Sequence, residues 1–319
     1  MVDHKDHYLS ESIVDMCKIL TTQYMKFYEN RVEAERRMKE LQRKGHIEEY
    51  NQLEGLRNDY AIFAAGFKHN AVEHLKPMPI WKYFLSQVTD LDEISALALI
   101  IGIQDISRFE VPSQLWAYCG MHTYMIDIKT QKRWFETKSI AVGFVDGFIK
   151  HKDQMHPSQL EKYREDLLTQ CVWGEGCVPK KVAAKDGDGK LENWNKFLKK
   201  ICFRISEDFD RGSEDGFYHQ FQKKIEIREI KKMSSGDNQN IVNAILADPG
   251  MYKELSEKLP TGLVSKANSR ARRETVRLFL THLLQYWRQL RVLPVKKPRL
   301  AEGAKMVEFP GIALEFTRC

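Results

Sequence analysis

The chain has 319 residues, 43% hydrophobic and 29% charged, and a net charge of +6. This composition suits a globular protein and excludes a fully disordered one. The longest apolar run, residues 96–103, is far shorter than the roughly 20 residues of a membrane span, and the polar N-terminus has no signal-peptide core. We therefore expect a cytoplasmic protein with no membrane partner.

The N-terminal residues 1–76 are expected to form an antiparallel coiled-coil hairpin. Two series of apolar residues recur at alternating spacings of three and four, which is typical of a narrow helical seam: Ile13, Cys17, Leu20, Tyr24 and Phe27, then Leu53, Leu56, Tyr60, Phe63 and Phe67. Gly45 between them is a helix stop. The alternative is a single long helix that pairs with itself in a dimer.

A second domain is expected over residues 77–300. Pro77 and Pro79 end the second helix, a helical block follows at 81–121, and residues 122–186 form a small mixed insertion that contains a strand candidate at 124–128. Helices are expected at 191–210, 215–232 and 268–291, and a loosely held tail at 301–319. The fold class is thus mainly α.

The positive charge is concentrated near the C-terminus. Residues 264–300 contain ten Lys or Arg against one acid, Glu274, which points to a polyanionic partner. At about 100° per residue, five arginines share one side of the last long helix: Arg270, Arg273, Arg277, Arg288 and Arg291. Because guanidinium groups match phosphate oxygens, we predict a nucleic-acid site. The alternative is a solvated charged edge.

The segment VTDLDEISALALI, residues 88–100, follows the pattern of a helix-hairpin-helix DNA module. Asp90 and Asp92 occupy the two positions where that module has glycines, whose backbone N–H groups approach a phosphate. Aspartates are good caps for the following helix but repel phosphate. We therefore expect a capped helical hairpin that has lost its phosphate contact.

Three stretches resemble the C-terminal transposase domain of the insertion-sequence one-ten family, the bridge-RNA-guided recombinases. They are the run at 79–121 with "GIQDISRFEVPSQLWAYCG", GKLENWNKFLKKICFRI at 189–205, and SRARRETVRLFLTHLLQYWRQLRVLPV at 269–295. They cover about a third of the chain in the family's order. The resemblance implies DNA as a partner, a structured guide RNA, and further contacts from Arg108, Lys190, Lys199 and Lys200.

Family members also carry a RuvC-like domain with metal-binding acids and a nucleophilic serine. The sequence contains no RuvC-like domain ahead of the hairpin and no serine between Cys171 and Gly189. We therefore assign no catalytic residue and expect the chemistry to require a separate RuvC-like subunit. We also expect a homo-oligomer that forms through the coiled coil. The rival functions are a non-catalytic nucleic-acid-binding protein and an interaction protein that uses the coiled coil.

A zinc site is a weaker candidate. Cys119 and His122, together with Cys171 and Cys177, offer four ligands of the kind zinc prefers. The spacing of the second pair is loose, and ordinary free thiols explain these residues equally well. No cofactor is therefore expected.

Overall fold

The computed structural model describes residues 11–127, 129–130, 132–149, 157–174, 179–183, 194–235, 238–296 and 310. These residues are mainly helical, which confirms the predicted fold class. None of the described helices combines the length and the hydropathy of a membrane-spanning segment.

The chain divides into two compact units. The first consists of Met1–Val111 and Ile201–Cys319, and the second of Pro112–Lys200. The first unit includes the N-terminal helical pair, and the predicted insertion, 122–186, lies inside the second. The predicted tail, 301–319, lies outside the described residues except for Pro310.

The first unit begins with two long helices, α1 (Glu11–Lys44) and α2 (Ile47–Leu75), which pack against each other. Gly45 separates them with φ of +76°, a conformation that favours glycine. Its N–H donates to the carbonyl of Gln42, and the N–H of His46 donates to that of Leu41. This pair of bonds satisfies two carbonyls that the end of α1 leaves free, so the predicted stop at Gly45 is confirmed.

The contact between α1 and α2 differs in part from the predicted seam. Cys17 and Tyr24 are buried, and the Phe27 ring contacts the Phe63 and Phe67 rings at centroid distances of 5.3 and 5.6 Å. Leu56, however, is 47% exposed, while Ala64 and Ala71 of α2 are buried. The helix α2 thus has small side chains at two of its buried positions, which a pattern of large apolar residues does not reveal.

The next helices are α3 (Pro79–Tyr83) and α4 (Glu93–Ile103), separated by a 3₁₀ turn at Leu85–Gln87 and followed by another at Ile106–Arg108. Every residue of α4 from Ile94 to Ile101 is buried. A helix that is apolar on all sides is buried on all sides, and α4 packs against both α1 and α2.

The remainder of this unit is an α-helical layer. The helix α8 (Lys196–Arg211) contains the boundary between the two units and is followed by α9 (Phe217–Met233), α10 (Asn238–Ala247), α11 (Tyr252–Ser256) and α12 (Thr261–Leu290). The helices α9 and α12 pack side by side. Residues 281–288 of α12 are all buried, and the Tyr286 ring stacks on Phe84 at 4.7 Å.

The second unit combines helices and strands. It contains α5 (Pro112–Tyr118), α6 (Lys138–Ile149) and α7 (Pro157–Leu168). A four-stranded sheet has the order β3 (Cys171–Trp173), β2 (Arg133–Phe135), β1 (Thr123–Asp127), β4 (Pro179–Ala183). The strand β1 runs antiparallel to both neighbours, and β2 is parallel to β3. A small core of Ala141, Val145, Leu167 and Cys171 lies between α6, α7 and β3.

Candidate nucleic-acid interface

Cationic side chains cluster on the N-terminal two thirds of α12 and on the adjoining part of α9. Spacings of four, three and four residues place those of α12 on one side of the helix, and two cations of α9 join them. We call this set the basic face: Lys266, Arg270, Arg273 and Arg277 of α12, with Arg228 and Lys232 of α9.

Glu229 of α9 holds the two halves of the basic face together. Its nearly buried carboxylate lies 3.2 Å from Nη1 of Arg270, 2.8 Å from Nζ of Lys232 and 3.6 Å from Nη2 of Arg228. Burial opposes ionisation of Glu229, but the bonds from Lys232 and Arg270 lower its pKa below the ordinary value. Three cations therefore share one carboxylate, and a net positive charge remains.

Arg273 is the member of the basic face that combines partial burial with the absence of a partner among the described residues. It is half-buried and makes no hydrogen bond or ion pair with any residue that the structure describes. Burial lowers its pKa, and the positive charges of Arg277 and Arg270 lower it further, against the opposing effect of Glu274. A cation placed among like charges without its own counterion favours binding of an external anion.

Arg277 has a partner on its own helix. Its Nη1 lies 2.7 Å from Oε1 of Glu274, three residues earlier. Arg272 lies on the opposite side of α12 and binds Asp210 at 2.6 Å and Glu207 at 3.6 Å. The basic face thus contains six cations and two carboxylates, Glu229 and Glu274.

Arg288 does not belong to the interface, which corrects the sequence prediction. Its side chain is only 5% exposed, Nε donates to the carbonyl of Pro294 at 2.8 Å, and Nη1 donates to the carbonyl of Phe109 at 2.8 Å. Angular position around α12 placed Arg288 beside Arg277, but this part of the helix is covered on all sides. Arg288 anchors two backbone segments.

The remaining predicted contacts are dispersed. Arg291 caps the C-terminus of α12, 14 residues or about 21 Å along the axis from Arg277. Arg108 is exposed in its 3₁₀ turn and lies over the Phe109 ring at 5.5 Å.

Two of the predicted lysines lie in the other unit of the chain from the basic face. Lys199 and Lys200 belong to the second unit. Lys200 is exposed, whereas Lys199 is 5% exposed, with Nζ 5.0 Å from the centre of the Trp194 ring. Burial thus removes Lys199 as a nucleic-acid contact. Lys190 lies outside the described residues.

Three members of the basic face were not predicted: Lys266, Arg228 and Lys232. The signal for Lys266 was present, since it precedes Arg270 by one helical turn. Lys224, Arg228 and Lys232 also recur every four residues. Ser269, an exposed residue next to Arg270, adds a hydroxyl that can donate to a phosphate oxygen.

Asp92 begins α4 but is not the side-chain cap that we predicted. Its backbone occupies the N-cap position without a side-chain cap bond. The carboxylate instead binds Nζ of Lys68 at 2.5 Å and Nη2 of Arg204 at 3.1 Å. Arg204 also donates to the Tyr24 hydroxyl at 2.8 Å and lies over the Tyr28 ring. Asp92 therefore links α1, α2, α4 and α8.

Asp90 has a backbone conformation that favours glycine. Its φ is +70°, and its side chain lies against Gly212 and Gly216. Gly216 is the N-cap of α9, so a negative charge lies beside the positive end of that helix dipole. The Asp90 carboxylate thus occupies a position that suits an anion.

The described residues contain no group of three or more His, Cys, Asp or Glu placed to hold a metal ion. Of the zinc candidates, Cys119 and Cys171 are buried and Cys177 lies outside the described residues. Burial raises the pKa of Cys171, and its thiol donates to the Leu167 carbonyl at 3.6 Å. This environment favours a protonated thiol over a metal-binding thiolate.

No protein-family model matches the chain, and searches of curated proteins and of solved structures found no match. The functional assignment therefore depends on the geometry of the basic face and on the sequence motifs.

Proposed function

We propose that the protein binds the sugar-phosphate backbone of nucleic acid through the basic face. The observation that carries the proposal is Arg273, a half-buried guanidinium without an ion-pair partner in the described structure, between Arg270 and Arg277. Like charges repel, and a phosphate between them replaces this repulsion with charge-assisted hydrogen bonds.

The dimensions of the basic face suit several consecutive phosphates. Lys266 and Arg277 are 11 residues apart, or about 16 Å along α12. Since one nucleotide of a DNA strand rises about 3.4 Å, this length corresponds to about four or five phosphates. No aromatic platform accompanies the cations, because Tyr286 and Trp287 are buried. Backbone binding with little direct reading of bases is therefore the proposed mode.

The family resemblance extends the proposal to transposition. In this view the chain is a transposase-like DNA-binding protein of a mobile element, with duplex DNA or a structured guide RNA as its ligand. Strand cleavage then requires a separate RuvC-like subunit. The same proposal includes a coiled-coil character for the α1–α2 pair and an origin of residues 88–103 in a helix-hairpin-helix module.

Binding to a 30-base-pair DNA duplex and to a hairpin RNA, followed by fluorescence anisotropy over a salt series, tests the proposal. We expect the triple variant Arg270→Ala, Arg273→Ala and Arg277→Ala to lose at least tenfold in affinity. Each lost phosphate contact lowers the slope of log K against log salt by about 0.9 on duplex DNA.

A matched control removes the same charge elsewhere. Arg36, Arg37 and Arg43 are exposed on α1, so their replacement by alanine lowers the net charge equally and leaves the basic face intact. If both triple variants lose the same affinity for nucleic acid, the loss reflects the net charge of the protein, and a localised site is contradicted. Absence of wild-type binding at low salt contradicts the proposal altogether.

Arg273→Gln gives the sharpest single test. Because Arg273 has no partner within the described residues, its replacement removes no internal ion pair. We expect weaker nucleic-acid binding with an unchanged or slightly higher free energy of unfolding, as repulsion with Arg270 and Arg277 disappears. Thermal unfolding by circular dichroism and anisotropy on the same sample measure the two quantities. Unchanged affinity would remove Arg273 from the interface.

A further inference from the structure

The outer side of α2 forms a surface that no described residue covers. Its members recur at spacings of four, three, four, three and four residues, which keeps them on one side of the helix. We call this set the α2 face: Gly55, Asp59, Ile62, Gly66, His69 and Glu73, all of which are exposed.

Large apolar side chains are exposed on the α2 face and beside it. Ile62 is 69% exposed, and the flanking Phe63 and Leu56 are 54% and 47% exposed. No Lys or Arg occurs in the α2 face. The exposed side of α1 carries charged residues, among them Lys26, Glu29 and Arg36, together with exposed apolar residues such as Ile19 at 62% and Val32 at 43%.

No contact with a described residue requires glycine at either of the two glycine positions of the α2 face. A Cβ added to Gly55 or Gly66 meets no atom within 4 Å, and neither residue has a positive φ. Glycine in a helix interior lowers helix stability relative to alanine. Close approach of an external backbone or side chain explains why an open helix surface lacks a Cβ at these two points.

We propose that a second copy of this chain covers the α2 face in an antiparallel, two-fold arrangement. With the two-fold axis at residue 64, Ile62 of each copy lies opposite Gly66 of the other. The Ile62 side chain of one copy then enters the space beside Gly66 of the other copy, as a knob enters a hole.

Polar complementarity favours the antiparallel direction of this pairing. In the same register Asp59 lies opposite His69 of the other copy, and the imidazole can donate a hydrogen bond to the carboxylate. A parallel pairing places Asp59 against Asp59 and Gly66 against Gly66, with a like-charge contact and a gap. The proposal is independent of nucleic-acid binding, since the basic face lies on α9 and α12.

Sedimentation velocity over a concentration series tests self-association. We expect wild-type dimers, and at least a tenfold weaker association for Gly66→Leu, whose side chain fills the space for Ile62. The matched control Glu33→Leu, which places the same side chain on the charged exterior of α1, is expected to leave association unchanged. A monomeric wild type, or equal association of Gly66→Leu and wild type, would overturn the proposal.

Gly66→Ala separates association from folding. Alanine raises the intrinsic stability of α2, so the expected result is a higher unfolding midpoint in dilute, monomeric protein together with weaker dimerisation. A change of both quantities in the same direction contradicts a hole for Ile62 at this position.

A charge exchange tests the antiparallel register. Asp59→Lys and His69→Asp are each expected to weaken association, because each introduces a mismatch across the two-fold axis. The double variant restores opposite charges in both pairs and is expected to recover most of the lost association. Failure of the double variant to recover overturns the antiparallel register.

Discussion

Arg288→Met removes an anchor between the end of α12 and two backbone segments. Arg288 donates to the carbonyl of Phe109, whose side chain is buried, and to the carbonyl of Pro294 after the helix. Methionine retains an unbranched apolar stem of similar reach but cannot donate a hydrogen bond. The substitution therefore isolates the two donated bonds from side-chain volume.

The expected cost follows from the surroundings of each acceptor. A hydrogen bond from a charged donor contributes about 1.5–3 kcal/mol to the free energy of unfolding. We assign the upper part of this range to the bond with Phe109, because it is buried. Pro294 is exposed, so water replaces part of that bond and about 1 kcal/mol is lost. We expect a decrease of about 3–4 kcal/mol in the free energy of unfolding.

Urea unfolding followed by circular dichroism measures this decrease through the shift of the transition midpoint. The same sample, kept well below its unfolding temperature, provides the nucleic-acid affinity. Because Arg288 is buried, the affinity of the folded variant should remain within about twofold of wild type.

Arg288→Lys is the appropriate control. Lysine keeps the positive charge but reaches only one carbonyl at a time, so we expect it to recover less than half of the lost stability. An Arg288→Met variant with wild-type stability and much weaker nucleic-acid binding would refute the structural role and return Arg288 to the interface.

Two further variants test other contacts of the first unit. Gly212→Ala places a Cβ 2.7 Å from the Cβ of Asp90. We therefore expect the free energy of unfolding in urea to fall by about 1–3 kcal/mol, and to fall by less in an Asp90→Gly background. Equal losses in both backgrounds would contradict this contact. Burial raises the pKa of Asp208 to about 6, although Arg204 opposes the shift. Because the folded state binds the proton of Asp208 more tightly than the unfolded state does, protonation of Asp208 stabilises the fold. This contribution is complete below about pH 4 and is lost as the pH rises through 6. Asp208→Asn should remove this slope in urea unfolding at pH 4–7 and increase stability at pH 7 by up to about 2 kcal/mol, and an unchanged slope would assign it to another group.

Local signals in the sequence predicted most of the helices. Gly45 ends α1, and the prolines after Leu75 end α2. In each case the backbone preference of a single residue type ends the helix, so the sequence alone is enough to predict the end. The start of α12 was placed seven residues late, although Leu263, Val264 and Ala267 continue the apolar spacing of the helix toward its N-terminus.

The candidate site was less predictable, because it depends on neighbours distant in the chain. The helical period correctly aligned Arg270, Arg273 and Arg277, but it could not show that Arg288 lies in a part of α12 that other residues cover. The sequence likewise predicted that Asp92 caps α4, but its carboxylate forms ion pairs with Lys68 and Arg204 instead. Side-chain partners from other helices decided both cases.

The contacts of Arg204 have a mechanical consequence. This guanidinium binds the Tyr24 hydroxyl on α1 and Asp92 at the start of α4, and Asp92 also receives Lys68 of α2. These polar bonds join α1, α2 and α8 at the first turn of α4, which also packs directly against α1 and α2. Forced extension of the N-terminal pair should therefore break the polar bonds and this packing together.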